Sequence, residues 1–529
     1  MKKNTFILTV LGALMLILAA CAGDGEPTNS SSGNGNGDEG GGDLVMALGE
    51  DVVSMSTQGS NDVPSSNVQE NVYETLTMLD ENQEPQPWLA EDWEEVDDTT
   101  WDFHLKEGVK FHDGEEFNAE AVKKSFDRLV DEEIGSPRAF LLDPVESWEV
   151  VDEYTFRINL KFPFAPLLAN LAHIGTGVMS PAIIEEDYAQ MEDGGDPDAY
   201  INKNPVGTGP FEFKEWTPGE KIVLKRNDDY HGDKVKLNTA TYKVVTEQSS
   251  RIAELETGAS HVVDDIGPNN VERVENSEGI HAIKQPSVSL NYVGFNIEKE
   301  PFDDVKVRRA ISMAIDKEAI VEGVYNGIGI TAKGPLAPPV FGYDEDVEDI
   351  SHDLDQAKEL MKEAGLEDGF STTLWTNDSE ERVDTAIAVQ AQLKKIGIDV
   401  KIEELEWGAY LERLANGEHD MFVLGWSTTN ADADQGLYQL FHSSQHGAAG
   451  NRTFIDDEEL DNILDEGRKE TDPEKRLEIY SRAQERLVEL APMLYLNHRE
   501  HLIGVNDSVK DFSISPQGVY QIKDAYIEE

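Results

Sequence analysis

The sequence predicts an α/β protein with two lobes, the first rich in strands and the second built from alternating strands and helices. In the first half, apolar and polar residues alternate with the period of a strand, as in Tyr154–Leu160. In the second half, a strand at Thr372–Trp375, a helix at Thr385–Lys395 and a strand at Ile398–Glu403 follow in βαβ order. We expect a cleft between the lobes, because ligand sites tend to lie at such junctions.

The first half contains several strand-like segments and one clear helix. The strands are predicted at Trp101–Leu105, Tyr154–Leu160, Lys221–Leu224 and Thr241–Val245. The helix begins after Asn118, a residue type that caps helix starts, and its apolar residues recur on one face. Residues 162–184 carry no Asp, Glu, Lys or Arg, but their prolines and glycines predict a buried helix and loop rather than a membrane span.

The second half has a denser succession of helices, several of which end at Gly or Asn-Gly. We predict helices at Val305–Ala314, Asp316–Tyr325, Asp355–Ala364, Thr385–Lys395, Trp407–Ala415, Asp456–Glu470 and Asp472–Leu490. The strands between and after them are predicted at Thr372–Trp375, Ile398–Glu403, Met421–Leu424 and Met493–Leu496.

The charge balance excludes several classes of function. The chain has 529 residues, with 105 acidic and 44 basic side chains, so its formal net charge is −61. Such a surface repels the phosphates of nucleic acids and the head groups of anionic lipids. Hydrophobic residues make up 39% of the chain, which is too many for a wholly disordered acidic protein.

The first segment resembles the signal peptide of a bacterial lipoprotein. Lys2 and Lys3 precede an uncharged, mostly apolar run from Phe6 to Ala20, which is too short to span a bilayer core. The run ends in Leu18-Ala19-Ala20-Cys21, similar to the lipobox in which the cysteine receives lipid and becomes the first residue. The alternative is a free cysteine after an ordinary signal peptide.

Cys21 is the only cysteine of the chain. If it is lipidated, disulfides, Cys-ligated zinc and a cysteine nucleophile are all excluded in the folded part. Residues 21–43 are rich in Gly, Ser and Asn and predict a flexible tether with a reach on the order of 25 Å. The GxGxxG pattern at 35–40 lies within this tether, without a flanking strand or helix, so we do not interpret it as a dinucleotide site.

No catalytic or metal-binding motif is evident in the sequence. The nucleophile elbow and the P-loop are missing, and His498 and His501 do not have zinc-protease spacing. Asn430, Asp432 and Asp434 alternate like calcium ligands, but the Gly and Glu that an EF-hand needs are not in place. We therefore predict no enzyme activity, no cofactor and no metal.

Several stretches resemble the dipeptide- and oligopeptide-binding family of extracytoplasmic solute-binding proteins, family 5, which serve ATP-binding-cassette (ABC) importers. The matching stretches, in family order along nearly the whole mature chain, are Phe111–Val122, Asn204–Phe211, Tyr292–Asn296, Pro301–Val305, Trp407–Leu411 and Gly425-Trp426. The segment 204–211 reads NPVGTGPF and is similar to the family's NPVGTGPY turn. With a lipobox in front of them, the ordered motifs identify the chain as a member of this family.

The resemblance implies an α/β, two-lobe periplasmic-binding-protein-like fold (type II/cluster C) with an extra strand-rich subdomain in lobe I. Residues 1–20 are then the lipoprotein signal peptide, and 21–43 the lipidated Cys and tether. Lobe I comprises 44–285 and 500–529, with an inserted subdomain at about 76–205, and lobe II comprises 286–499. We expect hinge strands near residues 284–290 and 496–501.

The resemblance also implies which residues bind the solute. Family members hold a peptide between the lobes as an added strand. The partner in lobe I is expected to be a strand near Val63, including Asn61, and the partner in lobe II is Gly425-Trp426-Ser427. Trp407 and Trp426 match the family's cleft tryptophans, for which the alternative is core packing.

The ligands for the two ends of the peptide are less well matched. Family members carry an Asp after the Gly-Trp strand that neutralises the peptide's α-amine. Thr429 stands at that position in an ungapped match, so Asp432, Asp434 or neither is expected to take the role. Arg382, after the strand Thr372–Trp375, is the candidate for the peptide's carboxylate.

The resemblance therefore implies the substrate-binding component of an ABC importer for short peptides, either di- or oligopeptides or glutathione-like compounds. The expected partners are a permease with its ATPase subunits and the membrane through the lipid anchor, and the expected state is a monomer. The alternatives are a non-peptide cargo, such as a nickel complex, haem, an oligosaccharide or an opine-like compound, or a surface hydrolase. A role as peptide sensor or extracytoplasmic chaperone is compatible with binding.

Overall fold

The computed structural model describes residues 41–447 and 450–528. Cys21, the predicted signal peptide and all but the last residues of the predicted tether lie outside the described residues. Among the described residues, no helix has the length and apolar character needed to cross a membrane.

Strands and helices are distributed along the whole described chain. The strands are β1 (Asp43–Leu48), β2 (Thr77–Leu79), β3 (Pro85–Pro87), β4 (Ala90–Asp97), β5 (Thr100–Leu105), β6 (Val145–Asp152), β7 (Thr155–Leu160), β8 (Phe211–Thr217), β9 (Lys221–Arg226), β10 (Thr239–Val244), β11 (Val262–Val263), β12 (Ile280–Phe295), β13 (Ile330–Thr331), β14 (Phe370–Asn377), β15 (Ile398–Leu405), β16 (Met421–Ser427), β17 (Met493–Asn506), β18 (Val509–Lys510), β19 (Ser513–Ile514), β20 (Tyr520–Gln521) and β21 (Tyr526–Ile527). The helices are α1 (Val63–Val72), α2 (Ala119–Leu129), α3 (Leu167–Ala172), α4 (Pro181–Glu192), α5 (Gln248–Thr257), α6 (Val271–Glu275), α7 (Val305–Ala314), α8 (Lys317–Val324), α9 (Leu354–Glu363), α10 (Glu380–Leu393), α11 (Trp407–Ala415), α12 (Ala433–Phe441), α13 (Glu458–Gly467) and α14 (Pro473–Leu490).

The hydrophobic cores divide the described chain into two lobes. The two core clusters of lobe II contain only residues between Val288 and Leu496. The core clusters of lobe I contain residues up to Ile280 and from Leu502 onward. The predicted boundaries at 285/286 and 499/500 fall in the two short intervals between these cores and remain a prediction.

One large sheet runs through both lobes, because two long antiparallel strands, β12 and β17, belong to both. Its order is β15-β14-β16-β12-β17-β11-β1-β10-β9-β8, and β13 pairs with β17. The ladder between β12 and β17 shifts register between Pro286 and Leu290. This irregularity lies within the segments predicted as hinges, where an interrupted ladder weakens the connection between the lobes.

Lobe II has the predicted βαβ arrangement. Strands β14 and β15 are parallel and connected by α10, and β14 is also parallel to β16, which follows α11. Two neighbouring parallel strands need a long connection such as a helix, because the chain must return to the end of the sheet where the first strand began. The arrangement brings the carboxyl ends of β14 and β16 to the same edge of the sheet.

The inserted subdomain of lobe I contains a separate four-stranded sheet in the order β4-β5-β7-β6. Helix α2 covers it, and Phe126 of this helix meets Phe156 and Trp148 edge to face, with ring centroids 5.5 and 5.8 Å apart. The predicted cap of α2 is confirmed, since Asn118 Oδ1 accepts a hydrogen bond of 3.2 Å from Ala121 N.

Three predictions about local structure are wrong. Instead of a strand near Val63, the chain forms helix α1, in which Asp62 caps the first turn and Pro64 occupies an early position that suits proline. The last strand continues well beyond the predicted end at Leu496, because β12 lies beside it over nearly its whole length. Helix α10 also begins five residues before Thr385, at Glu380.

Candidate functional site

The predicted binding strand Gly425-Trp426-Ser427 is the end of β16, and one edge of it is free of a strand partner. On one side these residues pair with β12, in the register Gly425–Asn291 and Trp426–Leu290. On the other side β14 pairs with β16 only as far as Phe422. Among the described residues no strand lies along this second edge of 425–427. An extended ligand can therefore hydrogen-bond there as an added strand.

Arg382 lies beside this free edge. Its Nη2 would be 3.8 Å from a Cβ placed on Gly425, and its Nη1 donates a 3.0 Å hydrogen bond to Asn377 Oδ1 at the end of β14. Burial lowers the pKa of Arg382, with a further contribution from Arg499. No carboxylate of the described chain forms an ion pair with it. A half-buried guanidinium without a countercharge is suited to bind an anionic group of a ligand.

The two tryptophans differ in their burial. Trp407 is 42% exposed at the first position of α11, and the Arg382 guanidinium carbon lies 5.2 Å from its ring centroid. The alternative of core packing is therefore wrong for Trp407. Trp426 is partly buried against the lobe II core, and its Nε1 has no hydrogen-bond partner in the described chain. Trp426 belongs to the segment of β16 with the free edge, and Trp407 contacts Arg382, which lies beside that edge.

Thr429 is already bonded within its own loop. Gln435 Nε2 donates a 3.0 Å hydrogen bond to Thr429 Oγ1, and the Gln435 side-chain oxygen accepts from Asn430 N at 3.0 Å. The Thr429 hydroxyl carries no charge, so it cannot neutralise an ammonium group as the family's aspartate does.

Asp432 is a structural residue, which corrects the expectation that it binds an amine. Its two carboxylate oxygens accept hydrogen bonds of 2.8 and 3.0 Å from the guanidinium of Arg476 on α14. Both side chains are 7% exposed. Asp432 also caps α12 by accepting from Asp434 N at 2.9 Å. Its charge and its lone pairs are therefore committed to holding α12 against α14.

Asp434 is likewise paired inside lobe II. Its carboxylate oxygens lie 3.2 Å from Arg468 Nε and Nη2. Burial raises the pKa of Asp434 to about 6, although Arg468 opposes the rise. The expectation that Asp434 binds an amine is therefore not met either. Of the three alternatives, Asp432, Asp434 or neither, the structure favours the last.

The lobe I segment expected to face the solute begins α1. Val63 is 42% exposed, and Asn61 before it is also exposed. Neither lies in a strand, so a ligand strand has no ladder partner at this segment. The roles of Asn61 and Val63 in binding remain a prediction.

The two lobes touch beside the cleft. Asn430 Nδ2 of lobe II donates a 2.8 Å hydrogen bond to Asn170 Oδ1 in the inserted subdomain. Ala165 N donates to Arg468 O at 3.0 Å, and the Arg468 guanidinium carbon lies 5.4 Å from the ring centroids of both Phe162 and Phe164 in the inserted subdomain. These contacts span the cleft, so the structure has the lobes together on this side.

Three features of this region have no counterpart among the sequence motifs. A small polar cavity lies where the β12–β17 register shifts, and Asp264 of lobe I lines it. Arg452 has a buried Nε without a partner in the described chain. The Asn170–Asn430 contact joins residues 260 positions apart. Acidic residues are too abundant here for one aspartate to be noticeable, and none of these residues lies in a recognisable motif.

Comparison with known proteins gives the same assignment as the motifs. Residues 84–448 match the family model of bacterial extracellular solute-binding proteins, family 5 Middle. A dipeptide-binding protein of Escherichia coli (strain K12) is 33% identical over 468 residues, covering 84% of this chain and 86% of the relative. A glutathione-binding protein, GsiB of Salmonella typhi, is 31% identical over 492 residues, covering 91% and 94%.

A solved structure has the same fold. The ABC transporter-associated periplasmic binding protein DppA from Helicobacter pylori, in complex with the peptide STSA, matches with a TM-score of 0.79 and 32% identity. The match covers 93% of this chain and 99% of that one. The predicted two-lobe α/β fold is thereby confirmed. The chain belongs to the bacterial extracellular solute-binding proteins of family 5.

Proposed function

We propose that the protein is the extracytoplasmic substrate-binding component of an ABC importer and that it captures short peptides between its lobes. The observation that carries this proposal is the free edge of β16 at Gly425–Ser427, next to the unpaired Arg382. The edge offers main-chain hydrogen bonds to a peptide of any sequence, and the guanidinium attracts a carboxylate. The peptide-binding names of its relatives support the same cargo.

Capture requires that the lobes open and close. Among the strands of the described chain, only β12 and β17 run continuously from the core of one lobe to that of the other, and their ladder is interrupted between Pro286 and Leu290. The Asn170–Asn430 hydrogen bond can form only when the lobes are together. A solute that contacts both lobes stabilises the closed state and shifts the population toward it. The closed complex then delivers the unaltered solute to a permease and its ATPase subunits.

A second candidate function follows from Thr429. Because Asp432 and Asp434 are both paired to arginines, the loop after β16 offers no free carboxylate to an ammonium group. A solute without a free α-amine, such as an opine-like compound, is therefore the alternative cargo for the same cleft.

The membrane attachment that we propose is a lipid on Cys21, with residues 22–43 as a tether to the folded body. Cell fractionation tests it. The wild-type protein should be found with the membranes, and Cys21→Ala should move it to the soluble fraction. Retention of the variant in the membranes would contradict the lipid anchor.

Native mass spectrometry tests the cargo. The purified protein is incubated with the tetrapeptide Ser-Thr-Ser-Ala, its N-acetylated form and a lactam opine such as agropinic acid, whose nitrogen carries no charge. We expect a one-to-one complex with the free peptide, from which the peptide is released at unchanged mass. Complex formation with the opine alone would favour the second candidate, and a cleaved peptide would indicate a hydrolase.

A further inference from the structure

A polar cavity lies at the hinge between the lobes, and its lining residues do not account for it as part of the fold. It has a volume of about 100 Å³ and lies between the end of β11 and the interrupted ladder of β12 and β17. Ser287 and Ser289 line it from the bulged segment of β12. Such a volume holds several water molecules, and therefore an ammonium group with its first carbon atoms, but not a whole peptide.

Three of the nine residues that line this cavity are acidic. Asp264, Asp265 and Glu500 contribute carboxylates, and Arg499 is the single arginine or lysine among the described residues that line it. Arg499 lies 3.8 Å from Glu381 of lobe II, so part of its charge is balanced outside the cavity.

The remaining titratable residue of the lining is neutral. Burial lowers the pKa of His501, and a hydrogen bond of 3.1 Å joins His501 Nε2 and Pro516 O. The cavity lining therefore has three carboxylates and one guanidinium, an excess of negative charge.

Asp264 forms no ion pair within the described residues. The neighbouring guanidinium, Arg251, donates to the main-chain oxygens of Asp264 and Asp265 at 2.9 and 3.1 Å and forms no ion pair with their carboxylates. Burial and the adjacent Asp265 raise the pKa of Asp264, although Tyr520 and the Arg251 guanidinium oppose the rise. The Tyr520 hydroxyl, on a side chain 2% exposed, lies next to this carboxylate without a well-formed hydrogen bond. Asp264 is half-buried, and a partly desolvated carboxylate without an ion pair is stabilised when a cation enters.

We propose that the hinge cavity is the subsite for an ammonium group of the solute and that Asp264 provides its negative charge. This inference rests on the proposed function and identifies the cargo as a peptide with a free amine. It assigns to lobe I the role that Thr429, Asp432 and Asp434 do not fill in lobe II. Because Asp264 belongs to lobe I and Arg382 to lobe II, a solute that binds both also bridges the hinge.

A single conservative substitution tests the subsite. In Asp264→Asn the shape is retained and the charge is lost. We expect the affinity for Ser-Thr-Ser-Ala, measured by isothermal titration calorimetry, to fall about 10- to 100-fold, the range of one charge-assisted hydrogen bond. The affinity for the N-acetylated peptide should change less than about twofold, because its blocked amine carries no charge to pair.

The matched control is Asp511→Asn, which makes the same charge change on an exposed residue of lobe I, 58% exposed at its side chain. It should leave both affinities unchanged. A melting temperature of Asp264→Asn that is equal to or above that of the wild type shows that the variant is folded.

The outcomes separate the inference from the proposed function. Equal losses for the free and acetylated peptides, or no loss for either, would overturn the subsite while leaving peptide binding intact. If the wild-type protein binds neither the free peptide nor a panel of free-amine di- to nonapeptides, the proposed function fails, and the inference fails with it.

Discussion

The ion pair between Asp432 and Arg476 provides the sharpest test of how the loop after β16 works. Asp432→Asn keeps a side chain that caps α12 almost as well as aspartate. It leaves the Arg476 guanidinium, 7% exposed, without its carboxylate. Removing one partner of a buried pair costs about 3–5 kcal/mol, because the remaining charge stays buried. We therefore expect a loss of about 4 kcal/mol in the free energy of unfolding.

This loss converts into a measurable shift in melting temperature. The entropy of unfolding is about 2.1 cal/mol/K per residue, which gives about 1 kcal/mol/K for a body of roughly 490 residues. The melting temperature should therefore fall by about 4 °C in differential scanning calorimetry. In the double variant Asp432→Asn/Arg476→Met the stranded charge is absent, and much of the loss should be recovered.

Peptide binding decides between the structural role and an amine-binding role. Well below its melting temperature, Asp432→Asn should bind Ser-Thr-Ser-Ala with wild-type affinity. An unchanged melting temperature together with a selective loss of free-amine peptides would refute the reasoning and restore Asp432 as the amine ligand.

Two further substitutions test the burial and charge of other residues. Trp407→Ala should weaken binding of free and acetylated peptides alike, because the exposed ring contacts Arg382 beside the free edge. The free energy of unfolding of this variant should change by less than about 1 kcal/mol, as for other surface sites. A large loss of stability would instead indicate that Trp407 is a core residue. Burial raises the pKa of Glu70 from 4.5 to about 7, so the folded state binds this proton more tightly than the unfolded state, and stability falls as the pH rises from 4.5 to 7. Glu70→Gln should therefore match the wild type at pH 4.5 and be more stable by about 3 kcal/mol at pH 8 in urea denaturation; an equal difference at both pH values would contradict the shift.

Much of the fold was predictable because hydrophobic periodicity and helix caps are local signals. Helices α7 and α11 have the predicted bounds, and the Asp316 break reappears as the cap of α8. The strand expected near Val63 was wrong because it was taken from the family resemblance. The local residues Asp62 and Pro64 favour the start of a helix, which is what the chain forms. The length of β17 depends on pairing with β12, about 210 residues earlier in the chain, which no local pattern encodes.

The candidate site was predictable only where a motif marks it. The Gly425-Trp426 motif indicated the free edge, and the position of Arg382 after β14 indicated the guanidinium. The roles of Asp432 and Asp434 could not be predicted, because each forms an ion pair with an arginine far along the chain. Arg476 lies 44 residues from Asp432, and Arg468 lies 34 residues from Asp434. A sequence lists these charges without showing which of them are paired.

The central claim, that the lobes close over a solute, is tested most directly by the distance between them. Because Cys21 is the only cysteine, a Cys21→Ala background allows spin labels at two introduced cysteines, Val151→Cys in lobe I and Ile387→Cys in lobe II. Both positions are exposed, at 47% and 49%. Pulsed electron paramagnetic resonance should give a broad distance distribution without solute and a narrower, shifted one with saturating Ser-Thr-Ser-Ala. An identical distribution with and without bound peptide would contradict closure.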